Sequence, residues 1–299
     1  MSPDTDPVSE VRVALDIGAR LGEGPVWCPR GKALYFVDSM APELLRWHPE
    51  TGAVGRWALP DLIGSLALRE GGGAVVALRH GLFTFDFESG ATELAVDLSA
   101  ENRENRFNDG KCDRRGRFWA GTMHFDGLPR GPKGFLYRFD ADFGHVRRES
   151  GIRTSNGIGW SPNDRTMYYT DTRAERIYAY DFDPATGENS SRRDFAVVDP
   201  ATGRPDGLTV DSEGGVWSAN WGGWRVVRYR PDGTLDRIVE MPVERPTSVM
   251  IGGPDLRILY VTSAWDGLDD AARAAQPLAG HVFALDLDIP GLPEPRFAG

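Results

Sequence analysis

One pattern occurs six times between Glu23 and Thr262: a short polar or glycine-bearing lead-in, a strand, a tight turn, and a second strand. Its fullest form is Arg204–Asn220. There Pro205-Asp206-Gly207 leads into Leu208–Val210, Asp211–Gly214 makes the turn, and Gly215–Ala219 returns. Asp, Ser, Glu and Gly supply the side-chain-bonded and left-handed conformations of a hairpin, and the flanking residues are the β-branched and aromatic types that strands favour. The other five lead-ins are Glu23-Gly24, Ile63-Gly64, Asn108-Asp109-Gly110, Asn156-Gly157 and Thr247-Ser248. Counted from residues 23, 63, 109, 156, 206 and 247, the units lie 40, 46, 47, 50 and 41 residues apart. Repeats of about 40–50 residues, each a four-stranded sheet, stack radially into β-propellers.

The second half of each unit agrees. Leu44–Trp47, Leu82–Phe85, Phe135–Phe139, Ile177–Tyr180, Val226–Tyr229 and Val282–Leu285 read as third strands, several of them followed by Pro/Gly turns. The expectation is an all-β, six-bladed propeller with four antiparallel strands per blade, forming one domain over residues 11–299 behind a disordered tail of residues 1–10. The strand Val11–Leu15 has no repeat of its own and is expected to pair with the last blade, closing the ring. Helical periodicity is confined to a short piece near Leu268–Ala275.

A chain of 299 residues would ordinarily suggest about two domains, but stacked repeats override that prior. The net charge of −10 argues against nucleic acid and anionic membrane as partners, both of which need a basic footprint. Residues 1–10 lack the apolar run of a signal peptide, and no segment has the roughly 18–20 apolar residues of a membrane helix. The two cysteines, Cys28 and Cys112, fall on inner strands of different blades and give no disulfide framework, so a reduced, cytoplasmic chain is expected. A monomer or weak homo-oligomer is the simplest assembly. There is no nucleophile elbow, zincin motif, phosphate loop or C-x-x-C, and the five histidines have no ligand spacing.

What remains is the column of residues that precede the inner strands: Glu23, Ile63, Asn108 with Asp109, Asn156, Asp206 and Thr247. In a propeller these positions converge at one end of the central axis. Carboxylates and amides meeting there offer oxygen ligands, the preference of a hard divalent cation. Asn-Gly and Asp-Gly are also ordinary turn dipeptides, which would account for Asn156 or Asp206 alone. Glu23 is poor turn chemistry and is not covered by that reading.

Leu21-Gly22-Glu23-Gly24-Pro25-Val26-Trp27, Arg106-Phe107-Asn108-Asp109-Gly110-Lys111, Trp119-Ala120-Gly121-Thr122-Met123, Ser155-Asn156-Gly157 and Pro205-Asp206-Gly207 together resemble the regucalcin/gluconolactonase, or senescence marker protein, family. The resemblance runs from about Leu21 to Ala284, with the motifs in order. It implies a six-bladed propeller that hydrolyses a sugar lactone with one divalent metal (Ca2+, Zn2+, Mn2+, Mg2+ or Fe2+). The metal would be held by Glu23, Asn156 and Asp206, with Arg106 and Asn108 contacting substrate. Some members carry a substrate-contacting Glu just after Gly-Thr-Met; here the chain reads Met123-His124-Phe125-Asp126, so that contact is absent or taken over by His124. The Gly-Thr-Met-His run and the segment Pro277–Ala284 are similar to bacterial aldonolactonases of sugar catabolism.

Lactone hydrolysis needs a polarised carbonyl, an activated water and an offset for the oxyanion, and Asp206 is the candidate base for the water. Trp221 and Trp265, at second-strand ends, are placed to stack on a sugar or to fill interblade contacts. The connections 124–134 and 266–280 are long enough to act as partial lids. The alternatives are a same-fold metal-dependent esterase or phosphotriesterase, and a non-enzymatic calcium-binding propeller.

Overall fold

The inner strands are almost wholly buried, and burial falls off outward. In blade I the inner strand Gly22–Cys28 is buried throughout, whereas the outer strand Val54–Ala58 alternates between exposed and half-buried. A computed structural model describes residues 10–125 and 133–299. It contains six four-stranded antiparallel sheets, each ordered from inner to outer strand. The inner strands are Gly22–Cys28, Ile63–Leu68, Asn105–Cys112, Ser155–Trp160, Arg204–Val210 and Pro246–Gly252, which define blades I to VI.

The ring closes as expected. Arg12–Leu15 pairs antiparallel with Val282–Asp286, with Arg12 opposite Ala284, and so supplies the outermost strand of blade VI. The helix is Asp270–Ala275, and Asp269 caps it by accepting from the Ala272 N–H. Cys28 and Cys112 are buried free thiols. No helix among the described residues is long and apolar enough to cross a membrane. The expected tail lies almost wholly outside the described residues, as does most of the connection expected as a lid after His124.

The core is not one body but six seams. Each hydrophobic cluster joins two consecutive blades: Trp217 and Val226 of blade V meet Val249 and Phe283 of blade VI, and Trp119 of blade III meets Trp160 and Phe182 of blade IV. The last seam joins blades VI and I through Tyr260 and Trp27, whose rings stack at 5.7 Å. Burying faces between neighbours explains why the repeats are aromatic-rich.

One feature has no counterpart in the repeat pattern. After Asp286 the chain runs across the face that carries the inner hairpin turns. Gly291 N donates to Leu256 O (2.7 Å), Ser212 N to Pro290 O (2.9 Å), Phe297 N to Leu68 O (2.8 Å) and Ala298 N to Gly116 O (3.0 Å). Phe297 is fully buried in the seam of blades II and III. This strap ties the turns of blades VI, V, II and III together and covers the channel at the end opposite the lead-in residues.

Candidate metal and lactone site

All six inner strands carry one extra residue relative to their partners. Phe107 faces Thr122, yet the next pair is Gly110 with Ala120; Ser155 faces Asp171, then Ile158 faces Tyr169; Pro205 faces Asn220, then Leu208 faces Ser218. Blade I slips between Glu23 and Val26, and blades II and VI slip at residues 63–65 and 246–248. A bulge adds local twist and re-aims a side chain. Here it turns Asn108, Asn156 and Asp206, with Glu23 at the edge of its own bulge, toward the axis.

The lead-ins are therefore not turns, as the dipeptides alone allowed, and Asp206 is not ahead of its strand. It is the third residue of Arg204–Val210. The glycines that follow serve packing. A Cβ on Gly157 would lie 2.7 Å from Asp206 O and 2.6 Å from Leu208 N; one on Gly207 would lie 2.7 Å from Ser248 Cα. Only glycine lets neighbouring inner strands approach this closely at the axis.

The axis opens into a cavity of about 450 Å³ lined by Glu23, Arg106, Asn108, Asn156, Asp206 and Trp221 among others, a size suited to a small ligand. Leu21, Met40, Leu62, Met123 and Phe125 give it an apolar side. Of the residues singled out from the sequence as substrate contacts, His124 is not part of the lining. Asn105 pairs with His124 and Arg106 with Met123, so strand alternation gives the cavity Met123 and sends His124 to the other face. Trp265 is also absent from the lining: its indole donates to Gly18 O (3.1 Å), and Arg273 stacks on it at 3.7 Å. Asp171, at the end of its second strand, is a backbone staple accepting from Arg153 N and Thr154 N (3.0 and 2.9 Å).

At the floor, Glu23, Asn156 and Asp206 are 6%, 4% and 3% exposed. Asn156 donates its amide to Thr172 Oγ1 (3.0 Å), which leaves its Oδ1 without a hydrogen bond, and Asp206 Oδ1 is likewise unpartnered. Buried oxygens without partners are costly. Burial and the nearby Asp109 push the Glu23 carboxyl up to about 8, and burial, Glu23 and Asp109 hold Asp206 well above the usual range. A dication among these oxygens offsets both the burial and the mutual repulsion, so the three side chains fit a metal by donor chemistry. No cluster of three or more His, Cys, Asp or Glu side chains suited to a metal occurs among the described residues. The set here has two carboxylates and takes an amide oxygen as its third donor. Asp109 is not in the cavity lining; its Oδ1 accepts from Gly110 N (2.7 Å).

Arg106 is buried beside them. Its Nη1 donates to Asn108 Oδ1 (2.7 Å) and Phe107 O (2.9 Å), and Asn108 Nδ2 donates to Ser155 O (2.8 Å). Asn108 thus holds Arg106 in place from the backbone of blade IV. Among the described residues no carboxylate lies in ion-pair reach of Arg106. Burial lowers its pKa to about 10, opposed by the charges of Glu23 and Asp266. Sequence reading missed Arg173, Arg204 and Asp266 in the lining: Arg173 and Asp266 sit outside the repeated lead-ins, and Arg204 heads its unit without a chemical signal of its own.

Replacing Glu23 with Gln or Asn156 with Ala is expected to weaken metal binding by about tenfold or more while the ring stays folded, since neither side chain belongs to a seam. Calorimetric metal titration of each variant checks this, and unchanged affinity in both would remove them from the site.

The family model for the SMP-30/gluconolactonase/LRE-like region matches residues 21–265. A 6-deoxy-6-sulfogluconolactonase of Pseudomonas putida is 40% identical over 93% of this chain and 95% of its own length. An L-arabinolactonase of Azospirillum brasilense is 37% identical over 98% and 97%. A regucalcin structure from Agrobacterium tumefaciens, described as a calcium-binding protein, superposes with a TM-score of 0.92 at 30% identity, covering 97% of this chain and 98% of that one. With the family model spanning most of the chain and relatives of 37–40% identity over nearly all of it, the chain belongs to the SMP-30/gluconolactonase/LRE-like family.

Proposed function

We propose that this chain hydrolyses a sugar lactone, an aldono-1,4- or 1,5-lactone such as glucono-, xylono- or arabinonolactone, to the aldonic acid. The observation that carries the reading is the Glu23–Asn156–Asp206 floor, with two orphaned oxygens, set beneath a buried Arg106 in a small-ligand cavity. The lactonase relatives support it, each acting on a sugar lactone by its name. Glu23, Asn156 and Asp206 would hold one divalent metal, which when bound supplies Lewis-acid polarisation of the carbonyl and charge against the developing oxyanion. Asp206 takes a proton from the attacking water as its oxygen bonds to the carbonyl carbon, and returns that proton to the ring oxygen as the bond between the carbonyl carbon and the ring oxygen breaks. Arg106, fixed by Asn108, presents its remaining donors to substrate oxygens, a task suited to a multi-donor fork. Trp221 and the apolar side hold the carbon face of the sugar and exclude bulk water.

The test is a pH-indicator assay over a panel of aldonolactones with metal-stripped protein, then with Ca2+, Zn2+, Mn2+, Mg2+ or Fe2+ restored. Stripping is expected to lower the rate at least about a hundredfold, with recovery on adding back one of the ions. Turnover of simple esters or phosphotriesters alone would favour the esterase reading. Metal binding with no turnover of any of these would favour a calcium-binding propeller.

A further inference from the structure

The mouth of the cavity is more basic than a neutral sugar requires. The chain carries a net charge of −10, yet Arg106, Arg173 and Arg204 all line this one cavity. Arg106 is buried beside the floor. Arg173 lies on the 3-10 turn Thr172–Ala174 that follows the second strand of blade IV, and Arg204 opens the inner strand of blade V. Two neighbouring blades therefore bring an exposed guanidinium to the same opening. Arg204 meets Glu175 only at 3.7 Å, and among the described residues no carboxylate lies in ion-pair reach of Arg173. Arg173 also lines a second recess on blade IV, in which Arg153, Arg176 and Arg192 outnumber Asp171 and Glu175. Arg176 and Arg192 are engaged by Asp194 and Glu149; Arg173 is the member that reaches the central cavity.

A dication held by Glu23 and Asp206 would balance their charges, and Asp266 is paired with Arg20 at 2.7 Å. The charge left on the cavity wall is then that of the arginines. Guanidinium forks bind phosphate, sulfonate and carboxylate with two parallel hydrogen bonds, and a like-charged rim in an acidic protein focuses the field on anions. Hydroxyl groups alone would be served by neutral donors.

We propose that the preferred substrate is a sugar lactone bearing an anionic group, a phosphate, sulfonate or carboxylate, on the carbon farthest from the reacting carbonyl, held by Arg173 and Arg204. This rests on the lactonase reading of the floor. With the carbonyl at Asp206, the far end of the sugar points out to the mouth, where the two guanidinium groups clamp the anion and set the sugar's orientation.

The experiment compares glucono-1,5-lactone with its 6-phosphate, its 6-deoxy-6-sulfonate and glucaro-1,4-lactone, on metal-loaded protein and corrected for spontaneous opening. At least one anionic lactone is expected to exceed the neutral one in kcat/KM by about tenfold, an advantage that shrinks as salt is raised from about 0.05 to 0.5 M. The lactone with the highest value identifies the anion. Arg173→Gln and Arg204→Gln should each lower the anionic-to-neutral ratio of kcat/KM about fivefold or more, mainly through KM, with Arg173→Lys restoring part of it. Both side chains are exposed, so melting temperature should move little and serves as the folding control. A wild-type protein that handles the neutral lactone as well as every anionic one overturns the proposal, as does a ratio unmoved in both Gln variants. Failure to open any lactone sinks the lactonase reading and this proposal with it, an outcome distinct from hydrolysis without selectivity.

Discussion

Replacing Asp206 with asparagine is expected to lower kcat for an aldonolactone by about 10²–10⁴, equivalent to roughly 3–5 kcal/mol of transition-state stabilisation. The substitution keeps volume and one oxygen, and it sits on a bulge whose packing depends on Gly207 rather than on the side chain. What it removes is the group that accepts a proton. Asp206 is suited to that task as a carboxylate on the cavity floor, the position from which a base can reach a water in the site. An amide oxygen remains as a donor to a cation, so metal affinity should fall less than kcat. The measurement is kcat at saturating metal, with affinity taken from a separate titration. A variant that keeps more than about a third of wild-type turnover would show that Asp206 is not the base, whatever its part in holding the metal.

The ring was legible because its cause is periodic. A blade cannot bury both faces alone, so the six hairpins and their aromatic third strands had to repeat along the chain. The column Glu23, Asn108, Asn156 and Asp206 was legible for the same reason, since equivalent positions in a closed ring meet at the axis. Finer placement was not. Whether Asn156-Gly157 is a turn or a bulge depends on the neighbouring strand, whose backbone occupies the space a Cβ would need. His124 looked like a replacement for a substrate-contacting acid, but one-residue alternation gave the cavity Met123. Arg173 lies on a 3-10 turn with no repeat, and the strap 287–299 has neither periodicity nor strand pattern. Both are placed by tertiary contacts that a single sequence does not display.

At the opposite end of the Asp206 strand, Asp211→Ala is expected to cost about 3–5 kcal/mol of stability, the range for removing one partner from a buried ion pair. Asp211 is fully buried and accepts from Gly215 N (2.8 Å), Glu213 N (3.0 Å), Trp217 Nε1 (2.9 Å) and Arg228 Nε (2.8 Å). Blade III repeats the device: Asp113 takes Trp119 Nε1 at 3.0 Å and Arg117 Nε at 2.6 Å. One carboxylate therefore closes the turn, fixes the seam tryptophan and neutralises a buried arginine. Without it, the indole and two backbone N–H groups lose their acceptor, and Arg228 keeps its remaining carboxylates, Asp236 chief among them. The same turn anchors the strap, through Ser212 N to Pro290 O and the bridge between Asp211 and Gly291. Loss of Asp211 should thus lower the melting temperature by roughly 10 °C and speed amide exchange at Ser212 and Gly291 together. Metal affinity should hold while the ring is folded, because Asp206 and Asp211 lie at opposite ends of one strand. A variant melting within about 2 °C of wild type would mean that the turn's backbone bonds alone hold this end of the blade. If metal affinity fell in step with stability, the two ends would be coupled through the strand, and the strap would be acting on the site rather than only closing the channel.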